Sequence, residues 1–189
     1  MKKIFDFICE AGLLKRVRRS GWWVAGIDSP ESVADHSFRC AVIGYCLAKM
    51  EKIQPYQVLL MCLFGDIHEA RINDLHKMAQ AYLDADAAED KAYQFQLAGL
   101  PASIKKELAD LRKLYRGQTA KSAVIARDAD ILECLIQGKE YQSHGFKDAA
   151  KLLKKGPLHL KTKSAKQLWK IAQSQDPNTW WENIGEFKR

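Results

Sequence analysis

VLLMCLFGDIHE, residues 58–69, begins with seven apolar side chains and closes with three polar ones, Asp66, His68 and Glu69. Val58 to Phe64 are apolar on every side of a 3.6-residue period, which describes a helix buried all round rather than one lying on a surface. Pro55 stands where such a helix can begin. A central buried helix needs others around it, and the flanking sequence supplies them. Ser32 can cap a helix running to about Glu51, with Val33, Phe38, Ala41, Val42 and Tyr45 on its apolar face. Ile4, Phe5, Ile8, Leu13 and Leu14 mark a first amphipathic helix, and the stretch from Lys15 to Pro30, with Gly21, Gly26 and Pro30, reads as a connecting loop. Further helices are predicted over 76–86, 88–98, 102–116, 119–142, 147–155, 163–174 and 178–187, with Gly99, Pro101 and Gly117 as punctuation. No alternating strand pattern of useful length and no internal repeat is present. The expected fold class is all-α, a single compact helical bundle.

Composition agrees with a folded globule: of 189 residues, 47% are hydrophobic and 28% charged, which excludes disordered and fibrous classes. Apolar runs are broken by charge well before the ~20 residues a membrane span needs. Asp6 and Glu10 interrupt the apolar part of the N-terminus, so neither signal peptide nor membrane anchor is expected and the location is read as cytoplasmic. Cys9, Cys40, Cys46, Cys62 and Cys134 lack CxxC spacing and read as buried, reduced thiols. A net charge of +7 favours an anionic partner, either nucleic acid, acidic lipid or a phosphorylated small molecule.

The informative residues are polar ones in segments that look buried. Asp66 and Glu69, three apart, share one helix face; His36 interrupts SVADHSFRCAVIGYCLA; Asp128 and Asp130 interrupt SAVIARDADILECLI. Uncompensated buried carboxylates are costly, and a divalent cation offsets the cost. Oxygen ligands with an imidazole suit Mg, Mn, Co, Fe or Zn. Residues two apart on a helix point to nearly opposite sides, so only one of Asp128 and Asp130 can face a shared site, and the other can turn to solvent. The plainer account of each residue is a surface ion pair, Asp66 or Glu69 with Arg71 or Lys77, and a hydrogen-bonded structural role for His36, His76, His144 and His159.

Three segments, PESVADHSFRCAVIGYCLA from Pro30, LLMCLFGDIHEARINDL from Leu59 and ARDADILECLIQGKEY from Ala126, together with RVRRSGWW from Arg16, resemble in order and approximate spacing the signature segments of the HD-domain superfamily of metal-dependent phosphohydrolases, in its YfbR/HDDC-type 5′-deoxynucleotidase branch. The likeness spans roughly Phe5 to Tyr141. It implies His36, Asp66 and Asp130 as metal ligands, Glu69 and Asp74 as catalytic carboxylates, and Arg19, Trp22 and Lys77 as substrate-binding residues, with Arg18 as the alternative to Arg19. It further implies a nucleoside 5′-monophosphate as substrate, a divalent cation as cofactor, residues 1–145 as the phosphohydrolase domain with 146–189 as a helical extension packed on it, and a homodimer as the form relatives take. One position departs from the pattern: Gly65 stands where the histidine of the HD pair belongs. Either water fills that position, or a helix distortion brings His68 in, or strong metal binding is lost and the chain binds nucleotides without hydrolysing them. A separate reading, nucleic-acid binding, draws on Lys147, Lys151, Lys154, Lys155, Lys161, Lys163, Lys166 and Lys170 with Trp169, Trp180 and Trp181. Lysines on solvated helix faces, with tryptophans docking those helices to the core, explain the same residues better.

Overall fold

The computed structural model describes residues 1–181 and Ile184. The described residues form helices joined by turns and loops, and their sole β-type contact is a single bridge between Arg18 and Ser32. The helices are α1 (Lys2–Gly12), α2 (Val33–Met50), α3 (Tyr56–Phe64), α4 (Glu69–Ile72), α5 (Lys77–Gln80), α6 (Ala85–Leu97), α7 (Ala102–Gly117), α8 (Lys121–Ser143), α9 (Ala149–Leu153) and α10 (Lys163–Ser174), with 3₁₀ turns at 13–15, 20–25, 156–159 and 179–181. The end of the predicted 178–187 helix lies largely outside the described residues. Among the described residues no helix is long and apolar enough to cross a membrane.

The centre is a three-helix unit in which α2 lies against both α3 and α8, and α3 against α8. Val58, Met61 and Cys62 of α3 join Leu47 of α2 and Ile125, Leu132 and Leu135 of α8 in one core. Gly44 permits the close approach: a Cβ there would meet Cys62 Sγ and Val58 Cγ1 at 2.9 Å. Ser32 caps α2 in a reciprocal arrangement, its hydroxyl accepting from the Asp35 amide while the Asp35 carboxylate accepts from the Ser32 amide.

Four expectations need correction. Of the expected apolar face of α2, Val33 and Ala41 are buried, but Phe38, Val42 and Tyr45 are exposed; the inward face is completed by His36, Cys40, Ile43, Gly44 and Leu47, whose polar and small members hydrophobicity does not mark. The predicted helix at 76–86 shrinks to Lys77–Gln80, since the Asp84 carboxylate accepts from the Ala87 amide and starts α6 there instead. Of the five free thiols only Cys40 and Cys62 are fully buried; Cys134 is partly so, and Cys9 and Cys46 are exposed. Trp169 packs on the core, but Trp180 and Trp181 are exposed.

Asp128 is not solvent-facing either. It is 1% exposed, and its carboxylate accepts from the Lys161 amide at 2.9 Å, the Thr162 amide at 2.7 Å and the Thr162 hydroxyl at 2.6 Å. The Thr162 hydroxyl in turn caps α10 at the Ala165 amide. One buried carboxylate thus ties the chain entering α10 to the middle of α8. Asp128→Ala removes the acceptor of two buried amides and is expected to cost about 2–4 kcal/mol, with faster hydrogen exchange at residues 161–165. Denaturant unfolding with exchange mass spectrometry reads both, and unchanged exchange in that segment would refute the anchoring role.

Candidate active site

Three of the expected residues converge. His36, on the second turn of α2 and 2% exposed, directs Nε2 to Asp66 Oδ2 at 3.5 Å and to Asp130 Oδ1 at 3.3 Å. These atoms come from α2, from the turn after α3 and from α8, the three helices of the central unit. The opposite ring nitrogen, Nδ1, is hydrogen-bonded to Glu133 Oε2. A carboxylate on Nδ1 holds the ring in place and leaves Nε2 as the nitrogen that a cation can take, the arrangement common to metal-bound histidines. Burial and the charge of Arg19 oppose protonation of His36, but Asp130 and Glu133 outweigh them and raise its pKa well above the ordinary range. The position between Asp66 and Asp130 therefore attracts positive charge, which a proton or a metal ion can supply.

Glu133, the second helix turn after Asp128 and one turn after Asp130, was quoted within a motif but given no role by sequence reasoning. It is completely buried and also accepts from Arg39 Nε at 2.9 Å and Nη2 at 2.7 Å. Arg39 reaches Glu140 as well, at 2.7 and 2.8 Å. Asp130 is braced on its other oxygen: Oδ2 accepts from the Tyr115 hydroxyl and from Arg127 Nη1, both at 3.2 Å. Burial alone would raise the pKa of Asp130, yet His36, Arg127 and Arg19 hold it below the usual carboxylate range.

The segment from Gly65 to Arg71 is not a continuation of α3. Its amides bond three residues back, Glu69 to Asp66 at 3.0 Å, Ala70 to Ile67 at 3.2 Å and Arg71 to His68 at 3.0 Å. Such 3₁₀ turning eclipses positions three apart, so Asp66 and Glu69 share a side although they do not share one helix. Glu69 is 8% exposed, and its Oε2 has no hydrogen-bond partner. Burial, with the charges of Asp66 and Asp74, pushes its pKa well up. His68 turns the other way, Nε2 to Glu89 at 3.5 Å and Nδ1 to Arg112 at 3.5 Å; burial lowers its pKa to about 4. The distortion does not bring His68 to His36.

Arg19 closes the near side. Nη2 donates to Cys134 Sγ at 2.9 Å and Nη1 lies 3.8 Å from Asp66 Oδ2. Arg18 instead donates to the Pro30 carbonyl at 3.0 Å, so the residue facing the centre is Arg19. Asp74 follows Asn73, which takes a left-handed φ of 61°, and both its carbonyl and Oδ2 accept from the Ser20 hydroxyl. Trp22 is buried with Ala25, Ile27 and Ala149, its indole donating to Glu31 at 3.1 Å and packed edge-on to Tyr141; the exposed tryptophan of this loop is Trp23. Lys77 is exposed at the start of α5. His76 caps that helix by accepting from the Ala79 amide.

The chain is similar to known proteins in both sequence and fold. A family model described as HD domain matches residues 11–169. The chain belongs to the HD-domain family. It is 28% identical over 162 residues to 5′-deoxynucleotidase HDDC2 of Dictyostelium discoideum, covering 80% of this chain and 85% of that protein. It is 30% identical to the protein of the same name from Xenopus laevis, over 75% of this chain and 70% of that one. A solved structure from Pyrococcus horikoshii superimposes with a TM-score of 0.76 at 30% identity, covering 90% of this chain and 96% of that one. Membership and the shared name of these relatives make the chain a phosphohydrolase of the HD class, a class that depends on a divalent metal. The donor set fits one: an imidazole nitrogen with two carboxylates around it, a neighbouring buried carboxylate oxygen without a partner, and groups of His36, Asp130 and Cys134 or of Glu31, His36 and Glu133 whose donor atoms lie within 4.8 Å of one another.

Glu31 reports the field of this cluster. Burial, then the charge of Glu133, raises its pKa to about 7. A carboxyl whose folded pKa exceeds its unfolded value of ~4.3 stabilises the fold fully only below that value, and the contribution is lost progressively as pH rises to about 7. In chelator, Glu31→Gln, which keeps an acceptor for Trp22, should therefore raise the melting temperature relative to the parent at pH ~8 and leave it nearly unchanged at or below pH ~4. A variant less stable than the parent near pH 8 would show that the charged form of Glu31 is favoured after all.

Proposed function

We propose that this chain removes the phosphate of deoxynucleoside 5′-monophosphates, with His36, Asp66 and Asp130 as metal ligands. The observation that carries the reading is the convergence of these three side chains, from α2, the turn after α3 and α8, beside the guanidinium of Arg19. The names of the relatives favour deoxyribose as the sugar. A divalent cation of the Co, Mn, Mg, Zn or Fe type, held there, supplies Lewis acidity toward a phosphate oxygen and acidifies water.

The chain's own residues supply the remaining steps. Arg19, whose charge is secured by Cys134, Asp66, Asp74 and Glu69 against the cost of burial, can bind the phosphate through paired N–H groups and neutralise charge as the P–O bond to the sugar breaks. Glu69 has a buried oxygen without a partner beside Asp66, so it can orient the attacking water and take its proton. Asp74, held by Ser20, sits within the electrostatic reach of Glu69 and Arg19, where it can meet the sugar or the leaving 5′-oxygen. Trp22 and Glu31 back the loop that carries Arg19, so Trp22 supports the substrate side through packing.

Phosphate release from deoxynucleoside monophosphates, assayed with added cobalt or manganese, tests the reading. Asp66→Ala and Asp130→Ala should each lower turnover by roughly a hundredfold or more, as removal of a charge-stabilising group does, and Glu69→Gln by roughly 10²–10⁴-fold, the share of a general base. Full turnover in both aspartate variants would defeat the metal assignment. Tight nucleotide binding with no phosphate release in the parent protein would instead identify a binding scaffold.

A further inference from the structure

His36, Asp66 and Asp130 provide three protein donors, and Gly65 offers no side chain beside Asp66. A fourth donor stands on the same surface. Cys134 follows Asp130 by four residues on α8, which places both on one helix face, and its Sγ falls with the donor atoms of His36 and Asp130 inside a 4.8 Å group. The sulfur already faces positive charge: Arg19 spans from Cys134 Sγ at 2.9 Å to Asp66 Oδ2 at 3.8 Å. The two other thiols within the fold, Cys40 and Cys62, are free and buried in the hydrophobic core. Independently, Glu69 keeps a buried oxygen without a partner within the electrostatic reach of Asp66, Arg19 and His36, which points to a cation at this centre.

We propose that Cys134 is a fourth protein ligand of the divalent cation, and that the site therefore selects thiophilic metals, zinc, cobalt or ferrous iron, over magnesium and manganese. Resting on the metal reading above, the proposal adds a ligand and a selectivity to it. Carboxylates and an imidazole alone bind hard and borderline ions alike, whereas a thiolate shifts preference toward the softer ones. To hold the cation Cys134 would release its thiol proton to solvent, because a coordinating thiol is deprotonated. Nη2 of Arg19, which now donates to that sulfur, would then be available to the phosphate.

The test is cobalt titration of the chelator-treated full chain, followed by absorption spectroscopy. The parent protein should show a near-ultraviolet thiolate-to-cobalt charge-transfer band that saturates at one equivalent. The band should persist in a Cys9→Ser/Cys46→Ser variant and vanish in Cys134→Ser. Zinc affinity of Cys134→Ser should fall by roughly tenfold or more, since even outer-shell partners are worth that much, while manganese affinity stays unchanged. Zinc X-ray absorption of the parent, which needs no substitution at Cys134, should show one sulfur at about 2.3 Å. Stoichiometric metal without a charge-transfer band or a sulfur neighbour overturns the thiolate ligand and leaves the three-ligand site standing. A band that survives in Cys134→Ser also overturns it. Failure to take up cobalt or zinc at all overturns the metal reading beneath both.

Discussion

Glu133 has no contact with solvent, and a carboxylate so placed is tolerable only if its charge is matched on the spot. His36 and Arg39, three residues apart on α2, provide that match. Burial by itself would raise the pKa of Glu133; these two partners reverse the effect and hold it below the ordinary range. Arg39 continues along α8 to Gln137 and Glu140, so one side chain reads positions 133, 137 and 140 of the facing helix. That fixes the register of α2 on α8. The same register places His36 Nε2 beside Asp130, so a structural ion network and the reactive centre share one set of constraints.

The third helix enters that frame through Gly44. With Cys62 and Val58 at 2.9 Å from where its Cβ would lie, any larger residue would push α3 outward and draw Asp66 away from His36. Past Phe64 the backbone tightens, which stacks Asp66 with Glu69 and sends His68 toward Arg112 and Glu89. Gly65 sits at the entry to this tightened stretch, where a Cβ would meet the Met61 carbonyl oxygen at 2.8 Å. A histidine introduced there would have to shift main chain, so it would alter the very turn that carries Asp66 and would not simply add a ligand.

Much of this was readable from the residues and some was not, for identifiable reasons. The helical class and the central position of α3 followed from an apolar run with no polar face, a signal that survives any tertiary detail. The row Phe38, Val42 and Tyr45 misled because periodicity weighs hydrophobicity, while the inward face of α2 is occupied by His36, Cys40 and Gly44, chosen for charge pairing and close approach. Glu133 could have been found by the argument that singled out Asp130, since it interrupts the same apolar stretch ILECLI three residues later. Asp128 could not: its partners are amides more than thirty residues away, and nothing in the local pattern separates a buried cap from a solvated carboxylate. Arg127 and Tyr115, which brace Asp130, lie on different helices and meet only in the fold.

The electrostatics of the centre are lopsided. On the side of Arg39 and Arg127 the acids are matched, and Asp130 and Glu133 have lowered pKa values. On the opposite side Glu69 is raised by burial and by Asp66 and Asp74; there the negative charge is less fully matched, with Arg19 as the facing cation. A phosphate monoester brings further negative charge to that side. Its approach to Asp66, Glu69 and Asp74 with only Arg19 present would be repulsive on balance, because like charges in a partly buried site are weakly screened. A cation held between His36, Asp66 and Asp130 would offset that field, so the acids that disfavour a phosphate at this centre are the ones that would favour a metal there.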